Sequence, residues 1–172
     1  FLTSPYRARW KVLFCTVGAV YMVFAYFGLG SRLLAYLTEK PLVNTKLTEA
    51  QYRETCLNVS PEYYYRSGAT DGYYAMELTV VRTVTDNKSV SGEPIVYYLC
   101  RDPDDPDDQL VQILVRDCRV QGGGRFLRGD RIAVWGQPHG DGQLVVYDDE
   151  SDRLLSYPGI CMAYGAVVTE EG

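Results

Sequence analysis

Residues Val12 to Ser31 (VLFCTVGAVYMVFAYFGLGS) run for 20 positions without a charge. A helix of that length is about 30 Å long, the thickness of a bilayer's hydrocarbon core. The run is longer than the apolar core of a cleaved signal peptide, and no small-residue cleavage site closes it. It therefore predicts a retained single-pass transmembrane helix over about 12–31, stopped by Pro41. Trp10 and Tyr36 bracket it as interfacial anchors would. Phe14, Tyr21, Phe24, Tyr26 and Phe27 give it aromatic faces for lipid or for neighbouring helices. Arg7, Arg9 and Lys11 crowd one flank, against Arg32 and Lys40 on the other. The positive-inside rule then places the N-terminus on the cytoplasmic side and the rest of the chain on the periplasmic or luminal side.

Charge divides the chain at the same place. Residues 1–40 carry a net +4 and residues 41–172 a net −9, against −5 for the whole. A domain that negative lacks the lysines and arginines that neutralise phosphates, so nucleic acid is excluded as a partner. The expected partners are the lipid bilayer and other membrane protein subunits. Cys56, Cys100, Cys118 and Cys161 follow the apolar run; on an oxidising side they permit two disulfides in any of three pairings. No CxxC occurs, so a zinc ribbon or thioredoxin-type site is unsupported.

Residues 41–72 read as a linker with short helices. Thr48-x-x-Gln51 has the form of a capping box and opens a helix over 49–57. Ser60-Pro61 is a second N-cap, followed by Tyr63, Tyr64 and Tyr65. From residue 73 to 172 the pattern is that of strands. Met76, Leu78 and Val80 alternate with Glu77, Thr79 and Val81. Further strands are expected at Ile95–Cys100, Leu110–Val120, Arg131–Gly136 and Leu144–Tyr147, the last two joined by a hairpin turn at His139-Gly140-Asp141-Gly142. Ile160–Val168 is a final strand or ordered tail.

The phrase FLRGDRIAVWG from Phe126 to Gly136, then a turn, then Gln143-Leu144-Val145-Val146, resembles the late hairpin of OB-folds. The resemblance implies a five-stranded OB-like barrel. The expected fold class is thus an N-terminal transmembrane α-helix followed by a mainly-β domain. A barrel on an anchor is also similar in architecture to the periplasmic haem chaperone of cytochrome c maturation. That family attaches haem through a histidine with a tyrosine four residues on. Here the sole histidine, His139, has Gln143 at that spacing, so neither haem nor any other cofactor is expected.

Asp102, Asp104, Asp105, Asp107 and Asp108 fall within seven residues interrupted by two prolines. Like-charge repulsion and proline favour a solvated loop, which can dock a basic partner. The run is not an EF-hand loop, because the sixth position lacks glycine and the twelfth is Ile113. No G-x-S-x-G or H-E-x-x-H occurs, and one histidine leaves few general bases. No catalytic or metal residues are assigned. The reading is a non-catalytic accessory subunit of a larger membrane complex, of the kind electron-transport and photosynthetic assemblies carry. Tyr63, Tyr64, Tyr65 and the five aspartates are its contact candidates. The alternative is an anchored ligand carrier or assembly chaperone of the periplasm or lumen.

Overall fold

The computed structural model describes residues 5–26, 42–86, 94–105, 111–119 and 123–169. The chain forms two compact units, Phe1–Lys40 and Pro41–Gly172. The first contains helix α1, Pro5–Tyr26, with proline at its start, where the missing N–H costs nothing. Its side chains from Val12 to Met22, including Phe14 and Tyr21, are exposed.

Among the described residues no helix is long and apolar enough to cross a membrane. Arg7, Arg9 and Lys11 lie inside α1 rather than before it. Every 18-residue stretch of Pro5–Tyr26 therefore takes in Arg9 and Lys11, and charge within the helix lowers its fitness to cross the roughly 30 Å core. The expected single-pass anchor is corrected accordingly, and with it the cytoplasmic N-terminus and the periplasmic or luminal placement of the rest. Trp10, Phe24 and Tyr26 lie on the helix backbone, while Phe27 and Tyr36 lie outside the described residues.

The second unit begins with two short helices whose capping follows the sequence. In α2, Glu49–Thr55, the Thr48 hydroxyl accepts from the Gln51 N–H and Gln51 Oε1 accepts from the Thr48 N–H at 2.9 Å. In α3, Pro61–Ser67, the Ser60 hydroxyl accepts from the Tyr63 N–H, and Gly68 ends the helix at φ 58°. Such caps stabilise by about 1 kcal/mol each. Between the helices lies the two-residue strand β1, Leu57–Asn58. The remaining strands are β2 (Tyr74–Asp86), β3 (Ile95–Arg101), β4 (Gln112–Asp117), β5 (Arg131–Asp148) and β6 (Arg153–Val167).

These form a six-stranded mixed sheet in the order β1-β2-β3-β4-β6-β5. Pairings β1–β2 and β4–β6 are parallel; the others are antiparallel. β2 also pairs with β5, so the pairings among five of the strands return upon themselves. The expected fold class, a transmembrane helix plus a five-stranded OB-like barrel, is corrected: the described residues form a mainly-β sheet of six strands with three helices, none of them long and apolar enough to cross a membrane.

The expected hairpin turn at His139–Gly142 is also corrected. Both Ile132–Pro138 and Gln143–Asp148 pair with β6, so the chain runs straight on through this segment as one 18-residue strand. A register shift between Pro138 and Gln143 absorbs the extra residues, with positive φ at Gly140 (33°) and Gly142 (83°). Proline is tolerated at such a bulge because the ladder is already interrupted there. The true reversal is at Asp149–Asp152, where Asp152 takes φ 53°.

Alternation sorts the apolar side chains. Met76, Leu78, Val80, Tyr98, Ile113, Val115, Ile132, Val134, Ile160 and Met162 bury together as the main core, joined by Tyr64 and Phe126. Burial contributes about 1.5–3 kcal/mol for each large apolar side chain. On the opposite face of β3 and β4, Tyr97, Leu99 and Leu114 pack under Leu144 and Val146 from the far half of β5. A third cluster joins Val43, Tyr52 and Cys56 to Ala75, Cys161 and Ala163, with Cys118 and Trp135 at its edge. Gly136 lies where β5 presses on β6, and a Cβ there would collide with the Cys161 carbonyl.

Candidate functional site

Strand register builds a groove on the outer face of β2 and β5. Thr79 of β2 stands opposite Arg101 on one side and Arg131 on the other. The end of β3 and the start of β5 therefore flank the same residue, and the aspartate loop that follows Arg101 falls beside Arg131. Asp104 turns back by donating its N–H to Asp102 Oδ1 at 2.9 Å. Glu77 lies two positions before Thr79, on the face opposite Met76 and Leu78. It accepts from Arg131 at 2.7–2.8 Å, and Asp104 approaches the same guanidinium at 3.8 Å.

The groove encloses about 550 Å³. Ala75, Met76, Ala133 and Val134 line its apolar part, and Asn58 and Ser60 from the β1–α3 junction line its opposite wall. Trp135, paired with Ala75, closes one end, with the Arg53 guanidinium 4.5 Å from its ring centroid. Three carboxylates (Glu77, Asp102, Asp104) face one guanidinium in this lining, so its formal charge is −2. A recess with an apolar floor, an aromatic end and a negative rim is suited to an extended, positively charged segment.

The contact candidates divide. Asp102 and Asp104 line the groove and Asp105 follows them, exposed; Asp107 and Asp108 lie outside the described residues. Tyr63 and Tyr65 are exposed on α3, two and four residues beyond Pro61 in the groove wall. Tyr64 turns inward, donating its hydroxyl hydrogen to the Gly159 carbonyl at 2.8 Å and meeting Tyr74 edge-on. Burial pushes its phenol up. Glu77, Arg131 and Trp135 were not foreseen. The period-2 alternation puts them on outer faces, but their convergence needs the strand order, which one sequence does not display.

All described cysteines are free thiols. Cys100 is enclosed in the main core, and Cys56, whose thiol burial raises to about 11, lies in the third cluster. Of the four candidates, Cys118 packs against the cluster that buries Cys161 and Cys56.

The remaining polar groups are engaged locally. His139 Nδ1 lies 3.1 Å from the Gln143 carbonyl, within the bulge of β5. Asp117 holds Arg119 through two hydrogen bonds of 2.9 and 2.7 Å, and the guanidinium lies over Phe126. Asp130 accepts from the Leu127 N–H at 2.8 Å. Asp148 is buried at the β5–β6 turn, where it receives the Ser151 hydroxyl and Arg82 at 2.6 Å. Those two partners, Ser151 first, hold its carboxyl below the ordinary range against the opposing effect of burial. Among the described residues no group of three or more His, Cys, Asp or Glu is arranged to hold a metal ion.

No protein-family model, curated protein or solved structure matches the chain.

Proposed function

We propose that the protein is a non-catalytic accessory subunit that docks a lysine- or arginine-rich extended segment of a partner protein in the groove between β2 and β5. The observation that carries the reading is the convergence of Glu77, Asp102 and Asp104 on a recess ended by Trp135, with a formal charge of −2. An extended basic segment would lay its aliphatic stems along Ala133 and the Trp135 ring and present its charged heads to the rim. Exposed Tyr63 and Tyr65 extend the contact surface beyond the groove, since tyrosine offers large, stiff, amphipathic area at interfaces. The domain's net charge of −9 steers basic partners toward it from a distance.

The chain has two tryptophans, so a Trp10→Phe variant leaves Trp135 as the sole reporter. Titration with a lysine- and arginine-rich peptide is expected to give a saturable change in Trp135 emission. An acidic peptide of equal length should give none. Equal responses to both peptides, or none to either, would refute the reading.

A further inference from the structure

We propose that Cys118 and Cys161 form a reversible dithiol–disulfide site, closed by exchange with an external low-molecular-weight disulfide. The parallel pairing of β4 with β6 sets Arg116 opposite Cys161 and Asp117 opposite Met162. The Cys118 N–H continues that ladder by donating to the Met162 carbonyl at 3.0 Å. Cys118 stands just past the end of β4, where the backbone is released from strand geometry and can adjust. It lies diagonally across the pairing from Cys161 and packs against the cluster that buries that thiol. Cys100 sits in a different cluster, whereas Cys56 shares the third cluster with the pair, so peptide mapping must show that it is not the partner.

Access assigns the order of attack. Cys118 is partly exposed and Cys161 is fully buried, so an external disulfide meets Cys118 first. Cys118 is pushed up by its interaction with Cys161 and by burial, with the Arg116 charge opposing, so its attack draws on the small fraction of thiolate present. The same interaction lowers Cys161 against the opposing effect of burial, with the Arg116 charge adding to it, so the buried sulfur is the readier thiolate for the second step.

The chemistry balances as two exchanges. Cys118 loses its proton, and its sulfur attacks one sulfur of the external disulfide. That S–S bond breaks, and the first thiolate leaves and takes up the proton. The Cys161 thiolate then attacks the Cys118 sulfur and expels the second external thiolate, which takes up the Cys161 proton. Two protein thiols are oxidised by two electrons in all, and one external disulfide is reduced to two thiols. The new bond ties β4 to β6 across 43 positions of sequence, which restricts the unfolded chain.

The test uses the full chain under native conditions with oxidised glutathione, followed by alkylation and non-reducing peptide mapping. The expected product is a Cys118–Cys161 linked peptide with Cys56 and Cys100 alkylated only after unfolding. The oxidised chain should also melt at a higher temperature than the reduced one. A Cys161→Ser variant should instead retain glutathione on Cys118. Should that variant fail to fold, the wild-type map decides alone. Glutathione stably held on wild-type Cys118, a bridge involving another cysteine, or no native-state oxidation where the urea-unfolded chain oxidises readily would each overturn the proposal.

Discussion

Arg82 and Arg131 occupy matching electrostatic settings at two regions of the same sheet. Each has one carboxylate in close contact, Asp148 at 2.6 Å and Glu77 at 2.7 Å, and a second, exposed one at 3.9 and 3.8 Å. They differ in solvent. The Asp148 side chain is 4% exposed and that of Glu77 is 46% exposed. Water competes for the second pair and hardly at all for the first. At the β5–β6 turn the charges are consumed in holding the reversal together. In the groove they remain addressable by an incoming cation, because exchanging water for a ligand there costs little. The same three-charge arrangement is a fastening in one place and a receptor in the other.

The comparison can be broken most directly by stability. Asp148→Ala should cost about 2 kcal/mol, because it strands a half-buried guanidinium and frees the Ser151 hydroxyl. Glu77→Ala should cost less than about 0.5 kcal/mol. Urea denaturation of the two variants beside wild type checks both values, and equal losses would erase the distinction.

Binding should reverse the order. The double variant Glu77→Gln, Asp104→Asn is expected to weaken a basic peptide about tenfold, or ~1.4 kcal/mol. Asp148→Ala, measured where it remains folded, should leave the affinity within about twofold. Calorimetric titration of each variant distinguishes them.

Proton linkage sharpens the contrast. The folded carboxyl of Asp148 lies below its ordinary 3.8. It therefore contributes stability above its unfolded pKa and loses that contribution as pH falls through the folded one. The stability gap between wild type and Asp148→Asn should be full at neutral pH and shrink steadily below about pH 4. A gap constant down to about pH 2 would show that Asp148 acts by packing rather than charge.

The smallest effect is that of salt. Raising ionic strength from about 0.1 to 0.5 M should weaken peptide binding severalfold, as the Debye length falls from roughly 10 Å to under 5 Å. The wild-type minus Asp148→Asn gap should change by less than about 0.5 kcal/mol, because the turn carboxylate is shielded from counterions.

The helix caps, the inner face of β2 and the positions of β3 and β4 were legible because they depend on neighbours within four residues. Thr48 with Gln51 and Ser60 with Pro61 carry their own geometry. The His139–Gly142 segment misled because glycine-rich turn chemistry also serves a bulge. Only the pairing of both halves of β5 with β6 separates the two. The anchor misled because the described helix begins seven residues before the uncharged run, at Pro5, and takes in Arg7, Arg9 and Lys11. In the site, the acidic loop was visible as composition. Its partners Glu77, Arg131 and Trp135 were not, since they converge through the register of β2 with both β3 and β5. Tyr64 was indistinguishable from Tyr63 and Tyr65 until the phase of α3 was known.

The place of β6 has a consequence for how the chain is made. It follows every other strand in sequence, yet it lies between β4 and β5 in the sheet. While a ribosome is still adding residues 153–167, β4 and the outer half of β5 present open edges, and the Cys118 thiol has not met its neighbour. Non-local closure of this kind is slow, and unpaired edges invite pairing with other chains. The interval before β6 emerges is thus when this chain most needs shielding by the machinery that attends nascent proteins.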